Sequence, residues 1–75
     1  MFNVNHSLKT INKILENKKN KKDVLGFKIE KEGDEFQLME RIEEEACGEG
    51  FFWRTCGIYY KKKDLIERVN NLLRI

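Results

Sequence analysis

The sequence contains no proline, a single histidine, two cysteines and only five glycines among its 75 residues. The absence of proline and the scarcity of glycine exclude Pro-rich linkers and collagen-like chains. No apolar run approaches the roughly 18 residues of a membrane span, and no apolar stretch behind a charged start resembles a signal peptide. We therefore expect a soluble, cytoplasmic protein that has no membrane partner.

Residues that carry catalysis or bind metals are equally scarce. The chain has no Gly-rich phosphate loop, no G-x-S-x-G and no H-E-x-x-H motif. His6, Cys47 and Cys56 together fall short of the four ligands of a zinc site. We interpret the two thiols as reduced and semi-buried, with a cross-strand disulfide as the alternative. We expect no enzymatic activity, no catalytic residues, no cofactor and no metal site.

Both ends of the chain have the pattern of amphipathic helices. Apolar side chains recur at spacings of three and four over residues 5–19, with Asn5 or Ser7 as the N-cap. The same periodicity returns over residues 64–74, where Asp64 begins a predicted capping box. The sequence therefore predicts one helix near each terminus.

The middle of the chain changes to an alternation of period two. This pattern predicts strands over residues 24–31 and 35–43, joined by a turn around Gly33, and a third strand over residues 51–60. The expected order is α-β-β-β-α in one domain, residues 1–75. That order predicts a small two-layer α+β fold, a three-stranded antiparallel meander with both terminal helices on one face. A core this small is often completed by a partner or a second copy.

The charges are segregated along the chain although the net charge is only +2. The lysine-rich stretch 18–22 precedes the first strand, and the acidic run Glu43, Glu44 and Glu45, flanked by Glu40 and Glu49, follows the second. A meander brings these two segments together. They then either neutralise each other as solvated loops, or the acidic run is a tip that docks on a basic partner surface.

Aromatic residues are concentrated in the third strand, and two helices can cover only one face of the sheet. The position of Arg54 indicates that Phe52, Ile58 and Tyr60 lie on the open face. Apolar groups there form either a protein interface or a surface covered by the long side chains of Lys28, Arg41 and Arg54. The predicted contact anchors are Trp53, Phe52, Tyr60, Ile58 and Met39, with Glu43, Glu44 and Glu45 as steering charges.

Our first functional hypothesis is a small non-enzymatic module that binds a protein partner or a second copy of itself, as a homodimer. Lysine, asparagine and isoleucine make up a third of the chain, and their A/T-rich codons indicate a low-GC bacterium or one of its mobile elements. In size and composition the chain resembles phage and plasmid accessory proteins. That resemblance implies inhibition of a host defence protein, as by anti-CRISPR proteins.

The alternative hypothesis is nucleic-acid binding through the lysine-rich stretch 18–22 and through Lys61, Lys62 and Lys63, which precede the last helix. The order of elements and this lysine run are similar to a double-stranded-RNA-binding domain, and the resemblance implies phosphate contacts at these lysines. The turn at Gly33 is acidic, however, and the last helix is rich in leucine and isoleucine rather than alanine.

Overall fold

The computed structural model describes residues 2–19, 22–44 and 50–74. Its elements are helix α1 (Leu8–Leu15), strands β1 (Val24–Glu32), β2 (Glu35–Glu43) and β3 (Phe51–Tyr59), and helix α2 (Lys62–Leu73). The strands form one antiparallel sheet in the order β1-β2-β3. The predicted fold class, a small α+β domain with two helices and a three-stranded antiparallel sheet, is confirmed.

The first hairpin forms at the predicted turn. Glu32 pairs with Glu35, which leaves Gly33 and Asp34 as a two-residue loop. Gly33 has a φ of 59°, a backbone conformation that glycine adopts without steric cost, whereas Asp34 keeps a negative φ. The turn fixes the pairing register of the two strands, and that register decides which side chains share a face.

The buried apolar side chains form one cluster between the helices and one face of the sheet, called here the core face. Along β2 this face carries Phe36 and Leu38, as the period-two pattern predicts. Both helices contribute to the same cluster. Its other buried members are Ile11, Leu15, Val24, Phe27, Ile29, Leu65, Ile66, Val69 and Leu72. Within the described residues, neither α1 nor α2 has the length and apolar composition of a membrane-spanning helix.

Helix α1 lies along the outer edge of β1 and is held there by one asparagine. The Ile29 N–H donates to Asn12 Oδ1 at 2.6 Å, and Asn12 Nδ2 donates to the Ile29 carbonyl oxygen at 2.9 Å. A Cβ at Gly26 would lie 2.2 Å from the Glu16 carbonyl oxygen, so glycine is required where the end of α1 meets β1. The side chain of Asn12 therefore takes the place of a fourth strand at this point of the sheet.

The helices begin and end at positions that differ from the predicted ones. Ser7 caps α1, its Oγ accepting from the Thr10 N–H, so the helix is shorter than the predicted 5–19. The predicted N-cap role of Asp64 is wrong. Helix α2 begins earlier, with extended Lys61 as its N-cap and no side-chain cap hydrogen bond. Asp64 instead lies inside the first turn, where its carboxylate faces the positive end of the helix dipole.

We expect Asn12→Ala to lower the free energy of unfolding by about 1 to 3 kcal/mol, because it leaves two backbone groups of Ile29 without their partner. Chemical denaturation measures this change, and amide exchange of Ile29 should quicken in the same variant. Lys13→Ala, at the next and exposed position of α1, is the matched control and should change stability by less than about 0.5 kcal/mol. An equal effect of the two substitutions would contradict the role given to Asn12.

Candidate functional site

The sheet face opposite the core, called here the open face, is covered by no helix of the described chain. The pairing register places Lys28 of β1 beside Met39 of β2, and Arg41 of β2 beside Trp53 of β3. Ile58 of β3 pairs with Gln37 and is therefore also on this face. Basic, apolar and aromatic side chains thus alternate across the three strands.

Two cations lie over the tryptophan of this face. Lys28 Nζ is 4.2 Å from the centroid of the Trp53 ring, and the Arg41 guanidinium is 5.9 Å from it. Arg41 also lies 5.4 Å from the centroid of Phe51, whose ring meets that of Trp53 edge to face. For Lys28 and Arg41 the prediction of long side chains folded over the rings is confirmed. Trp53 is consequently only half-exposed.

The predicted position of Phe52 on the open face is wrong. Phe52 pairs with Ile42, and Ile42 packs against the core cluster, so Phe52 lies on the core face. The cause is a bulge in β3 opposite Leu38 and Met39, which inserts Cys56 as an extra residue. Before the bulge the even-numbered residues of β3 lie on the core face, and after it the odd-numbered residues do. Phe52 and Ile58 therefore lie on opposite faces.

The other predicted contact anchors are Met39, Trp53, Ile58 and Tyr60. Met39 and Trp53 are half-exposed on the open face. Ile58 is 49 % exposed and Tyr60, immediately after β3, is 68 % exposed. Exposed apolar surface is thus greatest at the carboxyl-terminal end of β3, away from the rings that the two cations cover.

Arg54 does not cover an aromatic ring. It pairs with Glu40 across β2 and β3 on the core face, where its Nε donates to Glu40 Oε1 at 2.8 Å and its Nη2 donates to the same oxygen. The Glu40 side chain is 7 % exposed and that of Arg54 56 %. Sequence reasoning assigned Glu40 to an exposed acidic feature. That assignment is wrong because Glu40 alternates in step with buried Leu38.

The acidic run and the lysine stretch lie at the same end of the sheet in the part that the structure describes. The Glu43 N–H donates to the Asp23 carbonyl oxygen at 2.8 Å, which joins the end of β2 to the residue before β1. Glu43 and Glu44 are exposed, as are Lys19 and Lys22. Lys21 and Glu45 lie outside the described residues. Whether the two segments steer a partner stays a prediction.

The lysines of the alternative hypothesis differ in what they contact. Lys61 and Lys63 are exposed. Lys62 Nζ donates to the His6 carbonyl oxygen at 2.5 Å and so ties α2 to the amino-terminal segment. Asn70 strengthens this tie, since its side chain exchanges hydrogen bonds of 3.1 and 3.0 Å with the backbone of Phe2. One of the three lysines is therefore a structural residue.

A cleft of about 540 Å³ separates α1 from the open face. Trp53 lies at its wall, and four basic side chains surround it: Lys9, Lys13, Lys28 and Arg41. Glu16 is the acidic residue among the lining side chains. A second depression, of about 580 Å³, lies between α2 and the amino-terminal segment and includes the exposed Val4 and the polar Asn70 and Asn71. Sequence reasoning missed the basic cleft because its residues come from four separate elements.

The two outer edges of the sheet differ. Beside β1 lies α1, and Asn12 bonds both backbone groups of Ile29. β3 is the other edge, and no further strand lies beside it within residues 2–19, 22–44 and 50–74. Its side chains from Arg54 to Cys56 are exposed. An uncovered edge of nine residues is a template for a further strand.

Cys56 is a free thiol at the bulge, whereas Cys47 lies outside the described residues. Cys56 Sγ donates to the Leu38 carbonyl oxygen at 3.4 Å. Although the residue is largely exposed, partial burial of its thiol against β2 raises the pKa of Cys56 above its ordinary value, and the Glu40 carboxylate raises it further. Among the described residues, no three His, Cys, Asp or Glu side chains come together as ligands for a metal ion.

The chain matches no protein-family model, no curated protein and no solved structure.

We expect Arg54→Met to lower the free energy of unfolding by about 1 to 3 kcal/mol at neutral pH, because the Glu40 carboxylate would lose a charged hydrogen-bond donor in a buried position. The exposure of Arg54 keeps the effect below that of a fully buried pair. Denaturant titrations of Arg54→Met, Glu40→Leu and the double variant measure the coupling. A double variant less stable than Arg54→Met would contradict the pairing.

We expect iodoacetamide to alkylate Cys56 more slowly in folded Cys47→Ser protein than in the same protein unfolded, at a pH of about 8.5. A raised pKa leaves less thiolate at a given pH, and the thiolate is the nucleophile. The difference should shrink as the pH rises through the raised pKa. Adding Glu40→Gln removes one cause of the shift and should quicken the reaction. Equal rates in the folded and unfolded protein would contradict the assignment.

Proposed function

We propose that the chain is a small non-enzymatic protein-binding module that binds by adding a partner strand to the outer edge of β3. The observation that carries this proposal is the difference between the two edges of the sheet. Asn12 and α1 close the β1 edge, while β3 has no neighbour on its outer side in the described chain. Strand addition supplies affinity through backbone hydrogen bonds and specificity through alternate side chains.

The side chains of β3 favour this mode of binding. β3 has no proline and no lysine, two kinds of residue that protect an edge strand, and Arg54 is its one charged residue. The bulge at Cys56 divides this edge into two regular stretches, residues 51–55 and 57–59. That charge is engaged by Glu40. Ile58 and the adjacent Tyr60 supply exposed apolar surface at the end of the strand. A partner strand would therefore meet an apolar edge with its charge already neutralised.

The partner is a second copy of the chain. Two identical edges pair antiparallel about a two-fold axis, and the single charged residue of β3 gives little like-charge repulsion. The result is a continuous six-stranded sheet. It extends a core that is small for an independently stable domain. If the chain inhibits a host defence protein, as its resemblance to phage and plasmid accessory proteins implies, the same edge of β3 would bind a strand of that protein.

We expect light scattering to report a dimer at both low and high salt, because backbone pairing and apolar burial are little affected by ionic screening. Ile58→Lys should weaken association by about tenfold or more, since it places a charge on the exposed apolar surface beside the edge. The β3 amides should be protected from exchange in the dimer and should exchange faster in Ile58→Lys.

Ile14→Lys is the matched control. Ile14 is 51 % exposed, close to the 49 % of Ile58, but lies on α1 at the other side of the sheet. It should leave the dimer unchanged. A monomer at all concentrations would rule out pairing between copies, and a dimer that dissociates only at high salt would assign association to the charged segments instead.

A further inference from the structure

We propose that the cleft between α1 and the open face binds a nucleotide with an unstacked base, as a single-stranded nucleic acid carries it. This site differs from the β3 edge and from the lysines at the start of α2. Its residues lie on α1, β1, β2 and β3. The proposal goes beyond protein binding and does not depend on it.

The cationic side chains of the cleft favour a negatively charged ligand. Four cations line it against one carboxylate, Glu16. Lys9 and Lys13 are exposed, one turn apart on α1, and neither forms an ion pair with a carboxylate among the described residues. Two unpaired ammonium groups on one rim of a concave surface are suited to successive phosphates.

The indole ring of Trp53 favours a ligand that also carries a ring, because the two rings can stack. Trp53 lies in the cleft below Lys28, whose ammonium group also pairs with Glu30 at 2.9 Å. Stacking of a base on an aromatic side chain generally contributes more than a solvent-exposed cation–π contact. A base can therefore displace the Lys28 ammonium group from the face of the indole. The long lysine side chain can then place this ammonium group beside the phosphate of the same nucleotide.

Arg41 holds the indole in this position. Its Nη2 donates to the Leu25 carbonyl oxygen at 3.2 Å, and its guanidinium lies against both Phe51 and Trp53. Its buried Nε has no hydrogen-bond partner in the described structure. An acidic peptide without aromatic residues would use the lysines but would have no ring to stack on the indole. A duplex would keep its bases stacked and out of reach, so a single strand fits this cleft best.

The test uses the fluorescence of Trp53, the one tryptophan of the chain. The full chain is titrated with uridine monophosphate, with oligouridylate, with oligothymidylate and with polyglutamate as a polyanion without rings. We expect both oligonucleotides to quench Trp53 and polyglutamate to leave the emission unchanged. Stronger quenching by oligonucleotides assigns the site to a single strand, and equal quenching by the mononucleotide assigns it to a free nucleotide.

The double variant Lys9→Gln/Lys13→Gln removes the unpaired charges without touching the rings. It should weaken oligonucleotide binding by about tenfold or more at low salt. It should also reduce the slope of log affinity against log salt by about 1.4, which is about 0.7 for each phosphate that the lysines no longer neutralise. The double variant Lys31→Gln/Arg68→Gln is the matched control, because both residues are exposed and lie outside the cleft.

Four results would overturn the proposal, and the first three concern the cleft itself. These are no quenching by any nucleotide, equal quenching by polyglutamate, and an equally weakened affinity in the control variant. Weaker binding by Lys61→Gln/Lys63→Gln with unchanged binding by Lys9→Gln/Lys13→Gln would also overturn it, and would assign nucleic-acid binding to the start of α2. Circular dichroism of each variant verifies that it is folded.

Discussion

The rest of this small structure depends on the two hydrogen bonds between the Asn12 side chain and the backbone of Ile29, because they occupy one of the two edges of the sheet. They fasten α1 to the edge of β1, and Gly26 allows the end of the helix to approach the strand. One edge of the sheet is thereby closed. Since a three-stranded open sheet has two edges, the proposed strand pairing with another chain would use β3.

A second asparagine makes the same pair of hydrogen bonds at the other helix, where the Asn70 side chain bonds both the N–H and the carbonyl oxygen of Phe2. The Phe2 side chain also packs against the core cluster, so packing and hydrogen bonds together hold the amino-terminal segment. An asparagine carboxamide presents an N–H donor beside a carbonyl acceptor, as a peptide group does, so it can bond both the N–H and the carbonyl of one backbone residue. Directional polar contacts thus supplement a small core.

Local patterns in the sequence were sufficient to predict the fold class. The alternation around Phe36 and Leu38 predicted the hairpin, and helical periodicity predicted both helices. The burial of Glu40 follows the regular alternation of β2 and was missed because a charged residue was expected to be exposed, whereas the face of Phe52 depends on an irregularity in β3. A bulge at Cys56 adds one residue to β3 and reverses the alternation on either side of it, and the adjacent Gly57 is its only local signal in the sequence. The basic cleft has no local pattern at all, since α1 must dock beside β1 before Lys9 and Trp53 share a surface.

The two proposed surfaces lie at different edges of the open face. Trp53 belongs to β3, but Lys28 reaches it from β1, and the cleft lies on the α1 side. Antiparallel pairing of two β3 edges has its two-fold axis perpendicular to the sheet, so both clefts would lie on the same side of a six-stranded sheet. At about 4.8 Å per strand, the two β1 strands would be roughly 24 Å apart. Dimerisation would then convert two weak nucleotide sites into one bivalent surface, on which a long single strand binds more tightly than a short one.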